Sequence, residues 1–356
     1  MIKLLTVIGA RPQIIKAAAF SRAVAARKDE VCEKILHTGQ HYDENMSGVF
    51  FGELGIPQPD YNLGVGSGSH GAQTAKMIEG IEKVLQSEHF DGIVLYGDTN
   101  STLAGAVAAS KLHIPVFHIE AGLRSFNMAM PEEINRIVCD QLSSILFAPT
   151  QTAVDNLRAE GFFDEKRGFR KVVNCGDIMY DNTLYFSNKA PENRYGVYVL
   201  ATVHRQENTD NIDRLKGIFA ALSSIAETTK VVLPLHPRTA KVLAANNIDT
   251  SKLTIIPPAS YLETLSLEKH AKLVLTDSGG VQKEAFFLER PCIILRDETE
   301  WVEIVQNGAG ILAGAEYEKI LSAYGSLCGK KVVFPPVFGD GKAAEKILES
   351  ILNYIL

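Results

Sequence analysis

The chain has 356 residues, 46% of them hydrophobic and 22% charged, which is material for two packed domains rather than one. A net charge of −6 argues against a general nucleic-acid or anionic-membrane binder, yet leaves room for a local basic pocket that takes phosphate. The five cysteines (Cys32, Cys139, Cys175, Cys292, Cys328) form no C-x-x-C pair, so they read as reduced thiols and not as a disulfide frame or a zinc site.

Taken in chain order, short β-rich apolar runs alternate with helical patterns. "LLTVIGA" (4–10) reads as a buried strand and "QIIKAAAFSRAVAAR" (13–27) as a helix. "EKILHTG" and "DGIVLYGD" (91–98) follow as strands, "STLAGAVAASKLH" (101–113) as a helix, and "PVFHIEAG" (115–122) as a strand. "PEEINRIVCDQLSS" is helical and "ILFAPT" strand-like. After the polar stretch "FSNKAPENRYG" (186–196) the pattern restarts with "VYVLATVHR", "DNIDRLKGIFAALSSIAE" and "KVVLPLHPR". "LTIIPPA", "AKLVLTDSGG", "VQKEAFFLE" and "RPCIILRDE" continue it. This spacing predicts βαβ units around parallel sheets, in two α/β domains of similar size. The expected division is 1–185, joined by a C-terminal helix over 342–356, and 186–341. The N-terminus lacks a signal-peptide apolar core and no apolar run has membrane-spanning length, so the expectation is a cytoplasmic protein with no membrane partner.

In open α/β sheets, ligands bind beyond the carboxyl ends of the strands. The unusual polar residues fall there: Arg11, Asp98, Glu120, His204, His236 and Ser278. "TDSGGVQKE" (276–284) is a strand, a Ser-Gly-Gly turn and a helix. It fits either a phosphate on a helix N-terminus or a tight turn that needs glycine for positive φ. Arg11 and Lys16 bracket a helix start at Pro12, as solvated cations or as a diphosphate clamp. Asp98 could cap the next helix, as could Thr99, Asn100 or Ser101. Glu120, between "VFHI" and a glycine, is a poor surface filler. His204 and His236 are either satisfied histidines or groups titrating near neutrality. With His37 and His41 they show no metal-ligand spacing, so no metal is expected. The expectation is that the chain holds no G-x-G-x-x-G and no P-loop string, so neither a nicotinamide cofactor nor a P-loop is indicated. The set suits a sugar nucleotide handled by acid–base or glycosyl-transfer chemistry.

The ordered strings "GARPQIIK", "HTGQHYDENM", "YGDTNST", "HIEAGLRS", "MPEEINR", "NCGDIMYD", "TVHRQEN", "LHPRT" and "LTDSGGVQKEA" carry a resemblance over almost the whole chain. The chain resembles the non-hydrolysing UDP-N-acetylglucosamine 2-epimerases. The resemblance implies two Rossmann-like domains whose parallel sheets face a central cleft, the glycosyltransferase-B architecture. It implies no cofactor and a homodimer. The reaction it implies inverts C2 of a UDP-linked 2-acetamido sugar by eliminating UDP to a 2-acetamidoglucal and re-adding it. Carried over by motif, Asp98, Glu120 and Glu132 are the catalytic carboxylates and His204 the catalytic histidine. Arg11 and Lys16 are substrate or phosphate contacts, and Arg136 is needed for activity. Ser278, Gly279 and Gly280 form the diphosphate loop, Glu284 holds the ribose, and His236 is a nucleotide-side residue.

Two stretches depart from the common pattern. In "RDETEWVE" (296–303), Trp301 stands where an arginine is often a substrate contact. "LGVGSGSHGAQTAKM" (63–77) replaces a region that often helps form an allosteric site. Both resemble a branch that includes epimerases of UDP-2,3-diacetamido-2,3-dideoxyglucuronic acid. The competing classes are a glycosyltransferase of the same fold and a non-catalytic sugar-nucleotide sensor. In "MPEEINR", helical spacing predicts an i,i+4 pair of Glu132 with Arg136 and a structural Glu133, while the resemblance implies that Glu132 is the proton-handling acid.

Overall fold

The computed structural model describes residues 1–39, 52–164 and 170–356, so His41 and the rest of "QHYDENM" lie outside the described residues. The chain divides into two compact units, Met1–Asn182 with Pro336–Leu356 and Thr183–Pro335.

The first unit runs β1 (Ile2–Ile8), α1 (Arg11–Ala25), β2 (Val31–His37), β3 (Tyr61–Asn62), α2 (His70–Ser87) and β4 (Gly92–Tyr96). It continues through α3 (Asn100–Lys111), β5 (Val116–Ile119), α4 (Pro131–Leu142), β6 (Ile145–Ala148), α5 (Gln151–Ala159), β7 (Lys171–Asn174) and α6 (Ile178–Ser187), within which the division falls. The sheet is parallel, in the order β3-β2-β1-β4-β5-β6-β7. Its central strands are continuous apolar runs because helices cover both faces. In β4, all of "GIVLY" is buried.

The C-terminal helix, Ala343–Ile355, packs against α1. It buries Ile347, Leu348, Ile351 and Leu352, one stripe at helical spacing. Its first turn is held by the Asp181 carboxylate, which accepts from the N–H groups of Ala343 (3.0 Å) and Ala344 (2.8 Å).

The second unit contains β8 (Val199–Thr202), α7 (Gln206–Thr209), α8 (Ile212–Ala226), β9 (Val231–Pro234), α9 (Pro237–Ala245), β10 (Thr254–Ile256) and α10 (Tyr261–His270). β11 (Val274–Thr276), α11 (Gly279–Phe287), β12 (Cys292–Ile294), α12 (Val302–Gln306), β13 (Gly310–Leu312) and α13 (Tyr317–Leu327) complete it; the C-terminal helix is α14. Its parallel sheet has the order β10-β9-β8-β11-β12-β13. Leu215, Ile218, Phe219, Leu222 and Ile225 of α8 pack on Val199, Ala201 and Leu275.

The strand orders determine where a ligand can enter. In each sheet the chain builds outward to one side, then crosses and builds to the other. The reversal lies between β1 and β4 in the first unit and between β8 and β11 in the second. Such reversals part the loops at the carboxyl ends and leave a crevice. A G-x-G-x-x-G string does occur, from Gly66 to Gly71, but it follows the edge strand β3 and lies away from the β1–β4 reversal. No helix among the described residues is long and apolar enough to cross a membrane.

Candidate active site

At the β1–β4 reversal the two turns are joined by Gln13, buried in the first turn of α1. Its side-chain oxygen accepts from the N–H groups of Gly9 (2.9 Å) and Ala10 (3.1 Å). Its amide donates to the Tyr96 carbonyl and to the Thr102 hydroxyl, both at 3.0 Å. Gly9 is required by proximity: a Cβ there would lie 2.2 Å from both Thr38 Oγ1 and Ser101 Oγ.

Thr99 is the N-cap of α3, accepting from the Thr102 N–H, so Asp98 is released from capping. Instead the Asp98 carboxylate accepts from Arg136 Nη2 at 2.5 Å. Burial raises the Asp98 pKa. The Glu120 charge adds to that effect, and together they outweigh Arg136 and Lys16. Glu120 occupies the left-handed region at φ 71°, where non-glycine residues are uncommon, and its carboxylate pairs with buried Lys16. Gly97, at φ 62°, leaves space for that pair: a Cβ would stand 3.0 Å from Glu120 Oε2 and 3.2 Å from Lys16 Nζ. The structure thus brings Lys16, Asp98, Glu120 and Arg136 into one cluster. Arg11 is exposed at the start of α1.

The expected Glu132–Arg136 pair is replaced by another. Arg136 bonds Glu133, at i,i+3, and Asp98. Glu133 is 1% exposed, and its carboxylate also accepts from the N–H groups of Ser125 (3.0 Å) and Phe126 (2.9 Å). Those donors outweigh the cost of burial and lower its pKa. The loop entering α4 needs an acceptor at that point, and Glu133, not Glu132, faces it. Glu132 is exposed in the first turn of α4, and its side chain has no hydrogen bond or ion pair to a described residue.

In the second unit, the loop after β8 is tied to the loop after β11 by Asp277, which is fully buried. Its carboxylate accepts from the N–H groups of His204 and Arg205, each at 3.0 Å, and from Asn208 Nδ2 at 3.1 Å. The His204 ring is half exposed, with Nδ1 3.5 Å from Asp277 Oδ1. Ser278 is the N-cap of α11, and Gly279 and Gly280 are in its first turn. Neither glycine has positive φ. A Cβ on Gly279 would lie 2.5 Å from Glu300 Oε1, so either the helix start or the Glu300 carboxylate would have to shift. The loop is therefore a helix start that admits close approach, with first-turn N–H groups that the helix itself leaves unpaired.

Glu300 pairs with Arg296 at 2.9 Å. Trp301 is turned inward, 3% exposed, with the Lys283 ammonium 3.9 Å from its ring centroid. Glu284 is buried in α11, near enough to the fully buried Glu268 that its charge, after burial itself, helps push the Glu268 pKa well up. His236 is exposed as the N-cap of α9, its Nδ1 accepting from the Arg238 N–H at 3.2 Å.

His118, Gln13, Asp140 and Asp277 were not singled out by sequence reasoning. Two parallel α/β units, each with polar groups gathered at its strand reversal, belong to the glycosyltransferase-B class of architecture. A UDP-glucose complex of Medicago truncatula UGT71G1 matches at TM-score 0.60 and 9% identity over 100% of this chain and 95% of that one, which is a likeness of fold. The family model for UDP-N-acetylglucosamine 2-epimerase matches residues 23–352, and the chain belongs to that family. It is an isomerase. It is 50% identical over 354 residues to the Pseudomonas aeruginosa UDP-2,3-diacetamido-2,3-dideoxy-D-glucuronate 2-epimerase, covering 98% of each chain. The crystal structure of Methanocaldococcus jannaschii UDP-GlcNAc 2-epimerase in complex with UDP-GlcNAc and UDP is 46% identical, with TM-score 0.89, over 99% of this chain and 100% of that one.

Proposed function

We propose that the protein interconverts UDP-GlcNAc and UDP-ManNAc by non-hydrolysing epimerisation at C2. The observation that carries this reading is the convergence of Lys16, Asp98, Glu120 and Arg136 at the β1–β4 reversal. The C2 proton is not acidic, because C2 is not next to a carbonyl. Its removal becomes feasible when the C1–O bond to UDP breaks in the same phase, giving a C1=C2 double bond while UDP leaves with the bonding pair. Return of a proton to the opposite face of C2, followed by re-addition of UDP at C1, completes the inversion.

Asp98, Glu120 and Glu132 are assigned to proton handling and to the oxocarbenium-like charge. A carboxyl with a raised pKa, such as Asp98, holds a proton more readily than an ordinary carboxylate, which suits it to take one up and return it. Arg136 orients Asp98, and Lys16 orients Glu120 or meets the substrate along with Arg11. In the second unit, Ser278, Gly279 and Gly280 receive the diphosphate, His204 assists UDP departure, Glu284 takes the ribose and His236 lies on the nucleotide side.

A second reading, UDP-2,3-diacetamido-2,3-dideoxyglucuronate as substrate, is favoured by the 50% identity to that epimerase. Incubating the protein with each UDP-sugar and following anomeric proton signals by NMR decides between them. The proposal expects the C2 epimer of UDP-GlcNAc to accumulate to equilibrium without free sugar. Conversion of the uronate alone selects the second reading; conversion of neither removes the assignment. We further propose a cytoplasmic homodimer that supplies polysaccharide assembly, a reading supported by the family resemblance.

A further inference from the structure

We infer that His118 is a positioning residue, an imidazolium that locks the two turns carrying Asp98 and Glu120. The ring is fully buried in β5. Nδ1 lies 2.7 Å from Asp140 Oδ1 and Nε2 lies 2.8 Å from the Gly97 carbonyl oxygen. A carbonyl oxygen only accepts, and Asp140 is held as a carboxylate by the groups around it. Arg124 Nη1 lies 2.8 Å from its Oδ2, and the Gly122 N–H donates to the same oxygen at 3.1 Å. Both ring nitrogens of His118 therefore carry a proton, since a neutral tautomer would point one lone pair at an oxygen. The groups facing the ring are Cys139 and Asp140 from α4 and the Gly97 carbonyl from the loop after β4; burial opposes the charge, but Cys139 and Asp140 raise the His118 pKa well above its ordinary value.

The anchored atoms show what the charge does. The Gly97 carbonyl belongs to the peptide that enters Asp98, and the Gly122 N–H lies two residues beyond Glu120. These turns hold three left-handed positions: Gly97 (φ 62°), Glu120 (φ 71°) and Gly122 (φ 79°). Local preference does not hold such a conformation at Glu120, so tertiary bonds must. The Gly97 N–H also donates to the Ile119 carbonyl at 3.0 Å, which joins the two turns directly. His118 touches no substrate; it acts through the backbone that aims the two carboxylates, and it rests on their assignment as the proton-handling pair.

The test has two arms. In 15N-histidine-labelled wild-type protein, both His118 nitrogens should show protonated shifts and direct N–H correlations, unchanged from pH 6 to 9. A single protonated nitrogen, or a titration inside that range, overturns the inference whether or not the protein epimerises UDP-sugars. In the second arm, His118→Gln keeps one donor but cannot serve both acceptors. The variant should lose about 10- to 100-fold in kcat with KM changed less than about threefold. A folded His118→Gln with wild-type kcat overturns it as well. Should His118→Gln fail to fold, Asp140→Asn replaces it: the same kcat loss, with the ring falling to a single protonated nitrogen, is expected, and an unchanged kcat contradicts the inference. If wild type itself turns over neither UDP-sugar, the substrate assignment fails while the nitrogen spectrum still decides the state of His118.

Discussion

Arg136 spans the start of the site, donating from α4 to the Asp98 carboxylate at 2.5 Å while its other arm bonds Glu133. One cation thus serves an acid assigned to chemistry and an acid that holds a loop. Removing it has a distinctive consequence. Burial already raises the Asp98 pKa, and Arg136 is the strongest group opposing that rise. In Arg136→Met, the acid limb of the kcat/KM profile should move upward by about one pH unit or more, and turnover should fall roughly 100-fold. A limb that stays in place means that Asp98 is not the group it reports.

The adjacent acids separate by the kind of damage each substitution causes. Glu132→Gln should nearly abolish turnover and leave Tm unchanged, because the Glu132 side chain is exposed with no bond to a described residue. Glu133→Gln should cost stability, about 2–4 kcal/mol, by breaking a buried pair and a carboxylate that accepts backbone N–H groups. The Glu133 pKa is depressed, so this stabilisation is present above its ordinary range and is lost as pH falls through the folded value. Thermal melts between pH 3 and 7 should therefore show the gap between wild type and Glu133→Gln closing in acid.

Asp181 has the opposite sign. Burial raises its pKa to about 6, against two backbone N–H donors from α14. Its contribution is fully present below its unfolded value and is lost as pH rises through about 6, a change of at most about 3 kcal/mol. Asp181→Asn keeps an acceptor without the charge. Relative to wild type, it should gain Tm between pH 5 and 7.5. A constant difference across that range would rule out the titration.

At the diphosphate loop, Gly279→Ala places a methyl group 2.5 Å from Glu300 Oε1. The helix start must shift or the Arg296–Glu300 pair must give way. UDP affinity measured by calorimetry should weaken about tenfold or more, with secondary structure intact. Unchanged UDP affinity would take the diphosphate away from this loop.

Much of this was legible because the strands announce themselves as short apolar runs and the polar residues just past their ends stand out. Asp98, Glu120, His204 and Ser278 were readable for that reason. The groups that hold them were not. His118 lies inside "VFHI" and reads as core, and its meaning depends on Asp140, 22 positions away. Gln13 and Asp277 look like ordinary turn residues until the strand order puts two loops side by side. The choice of Glu133 over Glu132 as the partner of Arg136 could not come from spacing, because both i,i+3 and i,i+4 lie on one helical face. Two loop N–H groups in need of an acceptor decided it. Trp301 was read as a variant of a substrate contact, yet it packs inward over Lys283.

The central claim is that C2 loses and regains a proton while UDP departs and returns. The most direct measurement is incubation of wild-type protein with UDP-GlcNAc in D2O, followed by NMR and mass spectrometry of the UDP-sugars. The account predicts one deuterium at C2 in the epimer formed, later in the recovered substrate too, with none at other carbons. An epimer that keeps its original C2 hydrogen, or UDP-sugars that stay protiated while the sugar passes to an acceptor, would contradict it.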